Sequence, residues 1–556
     1  MSQIDLPKIY NPAIQTKQEL IDNFVVRTGL FQDILNDIKT SEMKHPEQHY
    51  IIQGSRGQGK TTLLLRIAYE IQNDPQLSKR LIPVIFNEEQ YNISRLFKLW
   101  ESIAEYLKES GDMPDLYDQM QNLKYDDDYE RRCFELIEKA LIVRNQKMIV
   151  FIDNIDELFA KFSKQEHHRL REVFIESAEL RVIGASSISL EFHNDYGKPF
   201  YQFFKMPYLK GLSIDETRNL LLGLGRHYQN DRVKDIVEKQ PGRIESLRRL
   251  SGGVIRTIII LFEIFVDDEN GSAFKDLEKI LDSVTPLYKH RMDKLSAQQQ
   301  EIVDFIALNW DAVSVKDIAR KTKMESKAVS AQLGQLEKYS IIEKEKTNTK
   351  NYLYRIQERF FNIWYLMRLG RKWDERRVRF VVEFLQIWCD EGDLETRANR
   401  HLGLLKQGKN NLAYLYFQKK KNRDEAIELS RKSYEKEKTP DNAHTYSMIL
   451  LWDNQIEEAV RIAGEFLNDL EFLEKYTQDV IAFMLLLMAK KQYHLALKMF
   501  EENPHRFIDR FKPVYYALMF FMKKDFPNEY LKMGGELKET VDEIIASIQQ
   551  LGNDYQ

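Results

Sequence analysis

Between a short apolar run, YIIQ at residues 50–53, and a helix-prone stretch, LLLRIAYEI from residue 63, the chain reads GSRGQGKTT over residues 54–62. No other segment narrows the fold so far. A β-prone run, a glycine-rich turn and a helix in that order, with Gly-x-x-x-x-Gly-Lys-Thr spacing, form a cradle for phosphate. Gly54, Gly57 and Gly59 let the backbone turn tightly and aim N–H groups at phosphate oxygens, with Ser55, Arg56, Gln58 and Thr62 completing the turn. Lys60 brings a positive charge to the β- and γ-phosphates, Thr61 offers a hydroxyl to Mg2+, and the following helix points its positive dipole end at the anion. An accidental glycine turn would lack the matching flanks on both sides.

Such a cradle needs a metal-side acid on a neighbouring strand. Residues 147–159, KMIVFIDNIDELF, supply one: Met148–Ile152 is predicted as a buried strand and Asp153 stands at its carboxyl end, where α/β sheets place their ligands. Asp153 is therefore expected to hold Mg2+ through water. Asp156 and Glu157 follow, and two readings stand for them: one orients the attacking water, or both are the solvated first turn of a helix, where carboxylates favour the dipole in any case. A further strand is predicted at Leu180–Ser186. Ser186 or Ser187 at its end either senses the γ-phosphate or simply ends the strand. The apolar run Leu81–Phe86 and the segment Tyr201–Pro207 supply further strands, giving an α/β core with a mostly parallel, five-stranded sheet.

These residues resemble the STAND branch of the AAA+-related P-loop ATPases and, more loosely, origin-recognition-type initiator and archaeal-type ATPases. Four segments carry the likeness over roughly residues 15–290: NFVVRTGLFQDIL from Asn23, similar to the box that precedes the P-loop; the P-loop itself; FIDNIDEL, close to the NACHT-type acidic pattern; and LSGGVIRTII from Leu250, similar to the sensor segment of a helical lid. The resemblance implies that Val26 and Arg27 lie near the base and that Arg256 reaches the γ-phosphate from the lid; the plain alternative for Arg256 is an exposed helix arginine. This chain departs from the pattern at Val26 and Thr28, where the box has Gly and Glu, at Ile255, where a proline is expected, and at Asn154, where many relatives carry glutamate. The last departure points to slow turnover, and it keeps alive a scaffold that holds nucleotide without hydrolysing it. ATP or ADP with Mg2+ is the cofactor set the resemblance implies.

The rest of the chain reads as helical. Ser213 and Glu216 form a capping box that opens the lid. Residues 294–368 change character: three predicted helices followed by EKEKTNTKNYLYRI, a two-stranded wing, resemble a winged helix-turn-helix. Between Ser314 and Ile356 ten Lys/Arg face five acids. That local excess is compatible with duplex DNA, and equally with packing inside the molecule as a hinge. The segment RLGRKWDERRVRF from Arg368 reads as a basic, solvated linker helix. Beyond it, Ala426, Ala459 and Ala496 recur at intervals of 33 and 37 residues, close to the tetratricopeptide period, which predicts stacked helix pairs suited to a protein partner.

Composition bounds the remainder. At 556 residues the chain exceeds one core. The expected domains are a P-loop ATPase core (1–212), a helical lid (213–290), a winged helix (291–370) and tetratricopeptide-like repeats (371–556). A net charge of −4 gives no global pull toward nucleic acid or membrane, so such binding must come from a local patch. Two cysteines, Cys133 and Cys389, form no pairing pattern and suit a reducing cytoplasm. No membrane contact is expected. The whole reads as a nucleotide-driven switch that forms homo-oligomers or binds a protein partner, in prokaryotic signalling or defence. The rival is a DNA-associated initiator- or transposition-type ATPase.

Overall fold

The computed structural model describes residues 15–86, 92–187, 199–268, 271–339, 341–390, 413–414, 417–418 and 420–555. These form two compact units that share the chain alternately. The first comprises Met1–Lys234 and Gly253–Val266, the second Asp235–Gly252 and Asp267–Gln556. Residues 213–290 thus contribute to both.

The first unit is built on a parallel sheet. Strands β1 (Tyr50–Gln53), β2 (Leu81–Phe86), β3 (Lys147–Ile152) and β4 (Leu180–Ser186) lie in the order β1-β4-β3-β2. Alternation along each strand explains why helices cover both faces. On β3, Ile149 and Phe151 pack with Phe31, Leu63 and Ile67 on one side, while Met148, Val150 and Ile152 pack with Trp100, Ile137 and Phe174 on the other. The fifth position, expected for Tyr201–Pro207, is filled slightly later in the chain and without a regular strand. There, backbone from Lys205 to Leu209 runs beside β1 in isolated parallel bridges at Lys205 and Tyr208, with Ile51 N–H donating to Lys205 O and Gln53 N–H to Pro207 O, both at 2.9 Å. Pro207 has no N–H to give, which limits a continuous ladder.

The second unit is mainly helical. Helices Ala297–Leu308, Val315–Thr322 and Ser326–Lys338 are joined to an antiparallel sheet of β5 (Val313–Ser314), β6 (Ile342–Lys346) and β7 (Tyr352–Ile356), ordered β5-β7-β6. Helices then run from Arg423–Lys436 to Gly535–Asp554, and Ala426, Ala459 and Ala496 are all buried. The helix Lys372–Asp390 is not the solvated linker expected. Val378, Val381, Val382 and Leu385 fall on one helical face and are buried, Arg377 is half-buried against Asp509 (3.2 Å), and Arg371, Lys372, Arg376 and Arg379 are exposed. Among the described residues no helix is long and apolar enough to cross a membrane.

Candidate functional site

The site lies at the carboxyl ends of β1, β3 and β4. Leaving β1, the chain turns through Gly57 and Gly59, both with positive φ (85° and 83°), and Gly59 caps the helix Lys60–Asn73. At Gly57 a side chain is excluded twice over. The φ disfavours one, and an added Cβ would stand 3.1 Å from both Arg256 Cβ and Val254 Cγ1. The 254–256 segment leans on the loop because Arg256 N–H donates to Gly57 O at 3.2 Å. The backbone of the expected lid sensor is therefore bonded to the phosphate-binding turn.

Lys60 is buried, and its ammonium donates to Gly54 O (2.7 Å) and Ser55 O (3.1 Å). Thr61 Oγ1 donates directly to Asp153 Oδ2. Asp153 is buried, and its other oxygen accepts the N–H of Asn154 at 3.0 Å. These are the contacts expected of a cation and a hydroxyl–carboxylate pair prepared for triphosphate and Mg2+, so the residues present fit those ligands. Ser55 and Arg56 are exposed at the tip of the loop, and Thr61 and Thr62 are half-buried.

Asn154 has a local reason to be where it is. The turn from β3 into the helix Ile155–Ala160 places residue 154 in the left-handed region at φ 49°, which asparagine tolerates better than glutamate. The helix can then settle on β4 because residue 184 is glycine: a Cβ there would stand 2.7 Å from Ile155 Cδ1. That contact sets Asp156 against the end of β4. Its carboxylate is bonded to the Ser186 hydroxyl, one oxygen is buried with no partner, and burial raises its pKa despite Ser186 and the charge of Lys60. Glu157, one residue on, is exposed, as is Ser187. The two acids, indistinguishable in sequence, thus occupy different environments.

The residues preceding the loop also converge here. Val26 is buried, and Arg27 adopts φ 65° at the start of helix Thr28–Thr40. The Arg27 guanidinium donates to Gln58 Oε1 at 2.9 Å and to the carbonyl of Lys210. Desolvation lowers its pKa, against the pull of Glu216. Gln58 was expected as part of the turn, whereas Lys210, Gly184 and Val254 were not distinguished by sequence reasoning as members of this constellation. Of these three only Val254 carried a signal, its place inside LSGGVIRTII.

A parallel sheet with a glycine turn, its lysine and threonine after β1 and an aspartate at the tip of β3 defines a P-loop nucleoside triphosphatase. More particularly, residues 48–188 match the model of the NACHT domain family. Solved structures similar to the chain include a Walker-type ATPase of Pyrococcus abyssi (15% identity, 61% of this chain and 97% of that one, TM-score 0.42). Another is the Orc1 protein of Aeropyrum pernix in complex with DNA (12% identity, 67% and 97%, TM-score 0.37). A third is a STAND protein with a tetratricopeptide repeat sensor from Pyrococcus horikoshii (13% identity, 96% and 85%, TM-score 0.27). No curated protein matches the chain.

Proposed function

We propose that the protein is an ATP-dependent switch of the STAND type, working in the cytoplasm. In this reading the loop amides and Lys60 bind the β- and γ-phosphates, and Thr61 and Asp153 hold Mg2+, which supplies charge neutralisation at those phosphates. Asp156, which lies against Ser186 at the end of β4 while Glu157 is exposed, orients the attacking water and accepts its proton. Arg256 senses the γ-phosphate, while Val26 and Arg27 border the base. Lid movement then changes the readiness of the helical repeats to bind a protein partner or a second copy of the chain.

The observation that carries this reading is the direct Thr61–Asp153 hydrogen bond, because it joins two segments 92 residues apart at the one place a Mg2+-triphosphate needs them. Calorimetry of the full chain with ATP tests it: uptake is expected to require Mg2+ and to vanish in Lys60→Ala. Single-turnover assays separate a slow ATPase from a nucleotide-holding scaffold. Mass measurement with a non-hydrolysable analogue tests oligomerisation, and absence of Mg2+-dependent uptake by folded protein would end the proposal. A second reading, a DNA-associated ATPase, is favoured by the exposed lysines among residues 314–350.

A further inference from the structure

Inside the first unit, the glycine turn is closed into a ring of contacts. On one side, Arg256 N–H donates to Gly57 O (3.2 Å). The segment carrying Arg256 is bonded in turn to the connector 207–212, because Leu212 N–H donates to Gly253 O (2.8 Å). That connector leads into the helix Ile214–His227. On the other side a side chain spans the gap. The Arg27 guanidinium donates to Gln58 Oε1 in the turn at 2.9 Å and to Lys210 O in the connector. Gln58 is next to Gly57, so the circuit returns to the turn where it began. The segment around Arg27 also lies on the helix itself: Val25 stands against Gly223, and Glu216 in the first turn attracts the guanidinium.

The backbone at this link is costly, and the side chain offsets the cost. At φ 65° Arg27 occupies the left-handed region, where glycine sits freely and a residue with a Cβ does not. A bend that had only to redirect the chain would be served better by glycine; what arginine adds is the guanidinium. One nitrogen, Nη2, serves both acceptors, so turn and connector are joined through a single rigid group. Gln58 is buried, and Arg27 Nε is buried as well, so water competes poorly for these bonds. Charge-assisted hydrogen bonds in such a setting are strong.

We infer that Arg27 is a positioning residue that sets how long nucleotide stays bound, by tying the phosphate-binding turn to the connector through Gln58 and the Lys210 carbonyl. The inference rests on the nucleotide-switch reading and adds to it the residue that governs release. Before the connector can draw back from a bound nucleotide, this tie must break, and its strength becomes part of the barrier to release. Because Arg27 acts through protein groups on both sides, its effect falls on release and far less on the chemical step. Association, which meets the site before the tie is loaded, changes less than dissociation.

The test loads the full-length chain with Mg2+ and a fluorescent ADP, chases it with excess unlabelled ADP, and reads the release rate by stopped flow. Arg27→Gly removes the guanidinium while suiting the backbone at φ 65°. Gln58→Ala removes the acceptor in the turn, leaves the segment around Arg27 intact, and carries the test by itself if the glycine variant does not fold. Losing a charge-assisted bond should speed release by about ten- to a hundredfold. The double variant should release no faster than Arg27→Gly alone, because both substitutions cut the same tie. The change in release should far exceed the change in single-turnover hydrolysis at saturating ATP. Release at the wild-type rate in the folded variants overturns the inference. So do additive effects, which a direct contact of Arg27 with the base would give. Wild-type protein that takes up no nucleotide ends the switch reading and this one with it, whereas normal uptake with unaltered release ends this one alone.

Discussion

One acid in each unit is drawn away from solvent, and the two meet opposite surroundings. At the end of β3 and β4, Asp156 is pressed into a partly apolar setting with one oxygen lacking a partner, and burial raises its pKa. In the second unit, Glu245 on the helix Pro241–Ser251 is buried too. There Arg248 and Arg249 bond to it at 2.6 and 2.8 Å and hold its carboxyl below the ordinary range despite burial. The arginines reach on to the last helix, Arg248 to Glu539 (2.6 Å) and Arg249 to Glu543 (2.8 Å). A satisfied network of this kind specifies packing. Around Asp156 the Ser186 hydroxyl, backbone N–H groups and the charge of Lys60 do not offset desolvation, a cost that the proposed catalytic role would explain.

Variants can break this contrast. The largest effect is expected for Lys60→Ala: Mg2+-dependent ATP affinity should fall at least about a hundredfold, the loss of a charge-assisted contact to phosphate. The thermal melt without nucleotide should hardly move, and calorimetry with differential scanning reads both. Next, Glu245→Ala leaves Arg248 and Arg249 buried without their shared partner and should destabilise the second unit by about 3 kcal/mol, seen as a lowered melting temperature with ATP binding to the first unit retained. Linkage gives the sign of its pH dependence. The folded pKa of Glu245 is depressed, so its contribution is present above the unfolded value and is lost as pH falls through the folded one. The gap between wild type and variant should therefore close in acid.

Asp156→Asn sharpens the contrast in the opposite direction. It should abolish single-turnover hydrolysis while leaving ATP affinity within a few-fold, yet raise the melting temperature by roughly 1–3 °C at neutral pH. Here the folded pKa is raised, so the charge weakens the fold once pH exceeds it, and the advantage of the amide should vanish as pH falls through the carboxylate range. The smallest effect is expected for Glu157→Gln, exposed on the same turn, which should change neither melting nor hydrolysis appreciably. Loss of turnover in Glu157→Gln with retention in Asp156→Asn would reverse the assignment.

How far these features could be read in advance follows from their range along the chain. The glycine turn, Lys60 and Thr61 are local chemistry within nine residues, and Asp153 follows from a strand and its end. The capping box at Ser213–Glu216 is equally local and is formed. The lysine-bearing helix Lys372–Asp390 went the other way: its basic residues suggested a solvated linker, and burial of its Val face reflects partners supplied from elsewhere in the second unit. The link from Arg27 to Lys210 spans 183 residues and that from Arg249 to Glu543 spans 294, and no pattern in the intervening chain specifies either.

Composition and short motifs by themselves determined the chemistry this chain can do, because phosphate and Mg2+ dictate a few residue types at set spacing. Tertiary packing alone decided which acid of the pair lies against the end of β4, since Gly184 admits Ile155 and Asp156, not the exposed Glu157, meets Ser186. It also decided that Trp310 and Arg359 meet Glu536 and that Asp311 meets Lys512. The physical reason is the same in both cases: charge and shape are properties of a residue, but desolvation and pairing depend on which distant residues arrive beside it.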